Sequence, residues 1–161
     1  MAPNYLFRQS RNEIAVAPCL AGVHHLKLPV SDLPTGIAWF ETALGARRVE
    51  SFDHRHPDGT LFGVIMLLPG VAIPVELRLN PVAATAIAGF DPVTLGVDGI
   101  EDLRAWVAHL DAVGIEHSPI LTGFIGHLIE FRTPDGLCVR IYTNPSNGFA
   151  EARMRSPQEL G

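Results

Sequence analysis

The chain has 161 residues, about one domain's worth, and its 47% hydrophobic and 18% charged residues exclude intrinsic disorder. A formal net charge of -5 leaves no basic excess for a nucleic-acid backbone. Cys19 and Cys138 form neither a disulfide framework nor a CxxC pair, so both read as reduced thiols. The start of the chain lacks the apolar run of a signal peptide. The longest apolar stretch, 64–75, is broken by Pro69-Gly70 and is too short to span a bilayer. The expected location is cytoplasmic, with no membrane and no nucleic-acid partner.

Residues 1–20 read as a polar N-terminal arm. A strand follows over 23–30 by alternation, and Ser31-Asp32 caps a helix from Pro34 to Leu44 that Gly45 stops. Strands are expected over 46–52, 61–68 and 72–79, with turns at Pro57-Asp58-Gly59 and Pro69-Gly70. The pattern then begins again. Asp91 to Val97 reads as a strand and 100–112 as a helix. Strands follow over 115–121, 124–132 and 137–143, the last two joined at Pro134-Asp135-Gly136. Residues 146–161 form a tail.

The second pattern is a copy of the first. Residues 21–30 lie over 88–97, Ala38-Trp39 falls on Ala105-Trp106, and 75–81 lies over 139–145. The expected fold is therefore α+β. Two tandem βαβββ modules, 21–81 and 88–145, form one domain with a curved mixed β-sheet cup.

Side chains alternate across a strand, so each strand offers two faces. Leu26, Leu28 and Val30 oppose His25, Lys27 and Pro29. Val75, Leu77 and Leu79 oppose Glu76 and Arg78. Val93, Leu95 and Val97 oppose Thr94, and Val139 and Ile141 oppose Arg140 and Tyr142. If the sheet curls, His25, Lys27, Glu76, Arg78, Thr94, Arg140 and Tyr142 line one concave small-molecule site. The alternative is a solvated outer face with surface ion pairs such as Lys27–Glu76.

The run from His25 to Asp32, with Trp39-Phe40 and Ala43-Leu44-Gly45, resembles the opening of the vicinal oxygen chelate superfamily. That group includes glyoxalase I, fosfomycin-resistance enzymes, extradiol dioxygenases and bleomycin-resistance proteins. Residues 131–136 and 139–142 resemble its closing hairpin. The resemblance implies a divalent metal (iron, manganese, nickel or zinc) held by cup-facing strands. His25 and Glu76 match two ligand positions. The other two positions carry Pro92, which has no ligating side chain, and Arg140, a cation. Since a catalytic metal generally needs about three protein ligands, a third would come from Asp91, His127, His54 or His56. His24, His109 and His117 read as surface or packing residues.

Three functions stay open. The first is a binder that holds a small organic molecule in the cup over an incomplete metal site. Here Lys27, Arg78 and Arg140 grip an anionic group, and Thr94, His127 and Tyr142 line the pocket. The second is an enzyme of the lyase, isomerase or dioxygenase kind, with Glu76 and His25 as catalytic acid and base or as metal ligands. The third is an interaction protein without a ligand. Exposed strand edges and the arm favour a homodimer.

Overall fold

A computed structural model describes residues 17–145. Both terminal segments of the sequence reading, most of the arm and the tail from 146, lie outside the described residues. The first half contains β1 (Leu26–Val30), α1 (Leu33–Leu44), β2 (Arg47–Arg48), a 3-10 turn (Glu50–Phe52), β3 (His54–Arg55), β4 (Leu61–Leu67) and β5 (Val75–Leu79). The second contains β6 (Thr94–Val97), α3 (Ile100–Ala112), β7 (Leu121–Thr122), β8 (His127–Arg132) and β9 (Cys138–Thr143). A short helix α2 (Pro81–Ala86) lies between them.

Each half makes one mixed sheet. The first runs β1-β5-β4-β2, with β3 also paired to β4, and the second runs β6-β9-β8-β7. In both, the opening strand lies parallel to the closing strand, and every other pair is antiparallel. A parallel pair needs a long crossover, which α1 and α3 supply.

Local chemistry places these crossovers. Asp32 accepts a hydrogen bond from the Thr35 amide at 2.8 Å, and Gly45 ends α1 with a left-handed φ of 62°. Gly36 lets α1 press onto the sheet, since a Cβ there would stand 3.1 Å from Cγ1 of Val30. Helix α2 escapes the strand-and-turn reading. Its signal was Asn80-Pro81: the Asn80 side chain accepts from the Ala83 amide at 3.0 Å, and Pro81 opens the helix.

The strands are shorter than expected: β5, β6 and β8 each begin three residues late, and three other segments depart further or for a visible reason. β1 starts at Leu26, leaving His24 and His25 outside its parallel register. The expected strand over 46–52 is two residues long before the 3-10 turn. Most of 115–121 is irregular. Only His117 bridges to Phe131, because Ser118 meets both backbone groups of Glu130 with its own amide and hydroxyl, and Pro119 has no N–H to continue the ladder.

The apolar faces of both sheets share one core. It includes Leu28, Val64, Met66 and Leu77 from the first sheet and Ile129, Phe131 and Ile141 from the second. The halves meet through this core. The Trp39 and Phe131 ring centroids are 6.0 Å apart, and Nε2 of His109 is 3.2 Å from the Ala43 carbonyl oxygen. Leu26, Leu28 and Val75 also line one small cavity with Leu95, Leu137 and Val139. The polar face of each sheet therefore turns outward, away from the shared core. No helix among the described residues is long and apolar enough to cross a membrane.

Candidate functional site

On the outward face of the first sheet, Glu76 is the centre of a charged cluster. Its position in the middle of β5, in register with Lys27 on one side and Ile65 on the other, buries it to 1% exposure. Four side chains converge on its carboxylate. Nε and Nη2 of Arg78 both reach Oε1 at 2.5 Å, and Nδ1 of His54 is 3.4 Å from the same oxygen. Nε2 of His25 and Nζ of Lys27 approach Oε2 at 3.2 and 3.4 Å. Burial by itself would raise the Glu76 pKa. The hydrogen bond and charge of Arg78, then those of Lys27, outweigh it and hold the pKa below its ordinary 4.5.

Sequence features explain how these groups meet. Gly63 faces the cluster from β4. A Cβ there would stand 3.2 Å from Oε1 of Glu76, 3.2 Å from Nδ1 of His54 and 3.4 Å from Nε of Arg78, so a larger residue would make these side chains give by a few tenths of an ångström. Asp53 braces the segment that delivers His54. Arg48 reaches both its oxygens, at 3.0 and 2.5 Å, and Arg55 binds it at 3.0 Å. The Arg48 hydrogen bond is the main cause of a lowered Asp53 pKa. Phe62 lies 4.6 Å beneath the Arg78 guanidinium and stacks near His54 and His56.

A cleft of about 660 Å³ opens over this cluster. His25, His54 and Glu76 form its polar end, Val49, Phe52, Ile65 and Leu67 wall most of its length, and Arg47, Ser51 and Asp53 also line it. His24 also lines it, with Nδ1 2.8 Å from Nδ1 of His25. The surface reading of His24 overlooked this, because a residue preceding the paired strand has no face that alternation can assign.

The second sheet does not join this site. Arg140 pairs with Asp91 and Glu130, each at 2.6 Å, both from its own half. Thr94 is the β6 neighbour of Arg140. The hydroxyl of Tyr142 accepts a hydrogen bond from the Ile125 amide at 3.3 Å, and its ring lies over Gly123. Tyr142 thus holds the β7–β8 hairpin. His127 alternates with Leu128 and Glu130, the residues that pair with Tyr142 and Arg140, so it shares the opposite side with Ile129 and Phe131. The seven residues expected in one cup fall into two groups, because the apolar face of each sheet packs on its own crossover helix and the shared core, and leaves its polar face on the other side. His25, Lys27, Glu76 and Arg78 come together with His54. Thr94, Arg140 and Tyr142 lie on the other sheet.

The residues present do not fit the divalent metal that the resemblance implies. Among the described residues no group of three or more His, Cys, Asp or Glu side chains could hold one. Oε1 of Glu76 already carries the Arg78 guanidinium and Oε2 faces an ammonium, so an approaching dication meets two fixed positive charges. At the matching place on β9 stands Arg140, itself a cation.

Comparison with known proteins agrees with this fold. Residues 22–141 match the model of the Glyoxalase/Bleomycin resistance protein/Dioxygenase superfamily. A glyoxylase/bleomycin resistance protein/dioxygenase domain from Frankia sp. EAN1pec is 24% identical, over 78% of this chain and 98% of its own, with a TM-score of 0.60. A mutant of the fosfomycin resistance protein FosX from Listeria monocytogenes, complexed with Mn(II) and a dihydroxypropylphosphonic acid, is 16% identical. That match covers 85% of this chain and 98% of the other, with a TM-score of 0.62. Lactoylglutathione lyase from Agrobacterium tumefaciens is 14% identical over 77% and 94% of the two chains, with a TM-score of 0.59. No curated protein matches the sequence. With the family model spanning both sheets and both crossover helices, the chain belongs to the Glyoxalase/Bleomycin resistance protein/Dioxygenase superfamily.

Proposed function

We propose that the chain binds a small organic molecule in the cleft over Glu76 and does so without a metal. One observation carries this reading: a buried, multiply paired carboxylate closes one end of a cleft whose surface is mostly apolar. Such sites hold a ligand body by its apolar surface and orient it by a few polar contacts. The test is ligand-detected NMR in EDTA with a panel of small amphiphilic acids, amines and neutral amides. Line broadening is expected with the wild type and not with Ile65→Trp, which fills the cleft. Equal broadening with both, or broadening seen only when diamagnetic Zn²⁺ replaces the EDTA, would overturn the reading.

The working unit is proposed to be a cytoplasmic homodimer. Each polar face points outward and is half a cup. The first face carries Lys27 and Arg78 against Glu76, and the second carries Asp91 and Glu130 against Arg140. Their opposite net charges suit a two-fold pairing of unlike faces. Light scattering at micromolar concentration should give twice the chain mass, and a monomer would sink this assembly.

A second reading has its own observation. Nε2 of His25 lies 3.2 Å from Oε2 of Glu76, a histidine oriented by a carboxylate at the mouth of a cleft. This arrangement suits proton transfer in a lyase or isomerase reaction. Under that reading Glu76→Gln abolishes turnover of a substrate while the fold stays intact. Unchanged turnover would remove Glu76 from the chemistry.

A further inference from the structure

We infer that Arg78 takes the place of a metal ion at this site and that the polar head of the ligand is an oxyanion. The inference rests on the small-molecule reading above and names its ligand class. Three sides of the guanidinium are fixed. Nε and Nη2 bind Oε1 of Glu76, Nη2 also lies 3.3 Å from Nδ1 of His54, and the Phe62 ring lies 4.6 Å from Cζ. Nη1, with its two N–H donors, has no hydrogen-bond partner among the described residues.

The surroundings reserve this group for a ligand. Arg78 is bonded to two residues that line the cleft, Glu76 and His54. Lys27 adds a second cation on the other Glu76 oxygen while its own side chain stays half exposed. Glu76 neutralises only one of these two charges, so the cluster keeps a positive excess before any imidazole protonates. A planar guanidinium locked by a buried carboxylate and an aromatic face is a preorganised fork for carboxylate, phosphate or phosphonate oxygens. A divalent ion would have to displace it from Glu76 first. The group that stops a metal from binding is thus the one that supplies the site's positive charge.

Isothermal titration with methylphosphonate, acetate and a neutral probe, N-methylacetamide, tests this on the full chain in EDTA. The expected result is phosphonate binding that weakens at least tenfold in Arg78→Met and several-fold in Lys27→Met. Lys27 is half exposed, so that variant keeps its fold even if Arg78→Met does not. Arg78→Lys should recover only part of the affinity, since an ammonium lacks the fork. Repeated without EDTA, the titration should give the same wild-type affinity with and without added Mn²⁺. Anion affinity unaffected by both Met variants, or dependent on Mn²⁺, would overturn the inference. Binding of the neutral probe with no competition from either anion would overturn the oxyanion and leave the small-molecule reading standing. Failure of all three probes would count against both.

Discussion

Glu76→Gln keeps the shape of the side chain and removes its charge, so it isolates what the cluster contributes. Glu76 is 1% exposed, and its partners lie 2.5–3.4 Å away. Removing one member of a buried ion pair costs about 3–5 kcal/mol when the partner stays buried. Here the side chains of Arg78 and His25 are 30% exposed, His54 37% and Lys27 49%, so all four can be rehydrated in part. Gln also retains an acceptor. The expected loss is about 1–3 kcal/mol at neutral pH, or roughly 5 °C in melting temperature for a chain of this size. The pH dependence is the sharper readout. The folded pKa is below the ordinary 4.5, so the unfolded chain binds the extra proton. The charge therefore stabilises fully above 4.5, and its contribution is lost as pH falls through the folded value. Asp53, whose pKa is also lowered, is present in both proteins and cancels in the difference. Urea melts followed by circular dichroism should show a gap between wild type and variant at pH 7 that closes as pH falls below 4.5 and through the folded value. A gap that persists at low pH, or no gap at neutral pH, would refute the assignment of Glu76 as a stabilising buried anion.

Two other outcomes are expected. Burial, followed by the charge of Glu130, raises the Cys138 thiol pKa, whereas Cys19 is exposed, so a chromogenic disulfide should label one cysteine in native buffer and the second only in denaturant. Two fast-reacting thiols would contradict the buried placement of Cys138. In Gly123→Ala the new Cβ would stand 1.8 Å from the Tyr142 hydroxyl and 2.7 Å from Cδ2 of Leu128, forcing the ring or the hairpin aside at a cost of about 1–3 kcal/mol. Thermal melts should show that loss in the wild-type background and little of it when Tyr142→Ala is also present. An unchanged melting temperature would remove Tyr142 as the hairpin's anchor.

The duplicated architecture was legible because each copy carries its own punctuation. Asp32 and Gly45 bound the first crossover helix, and alternation marks the strands that pair along their length, such as β5 and β9. How the two faces are arranged was less legible, for one cause. Alternation says which side of a strand a residue occupies, but not how two sheets are set against each other. Lys27 and Glu76 were rightly placed on one face with Arg78, and Thr94 on one face with Arg140. Whether those faces shared a cup depended on the long-range meeting of Leu26 and Leu28 with Leu95 and Val139, which no local pattern encodes. His54 was weighed only as a rim residue, because it reaches Glu76 through the Arg48–Asp53–Arg55 brace rather than through strand periodicity.

The two sheets also solve one physical problem with opposite signs. Lys27 pairs in register with Glu76 on the first sheet, and Thr94 pairs in register with Arg140 on the second. These positions correspond in the repeat, so a central carboxylate in one half is replaced by a central guanidinium in the other. Each centre carries its own counter-charges: Arg78 and Lys27 around Glu76, Asp91 and Glu130 around Arg140. A charge left alone on the half-buried face of a sheet is costly, and a metal shared between the halves is one way to compensate several carboxylates at once. Here each centre is compensated within its own sheet. That local pairing compensates each centre with no ion shared between the halves, and it leaves the first sheet with a positive excess.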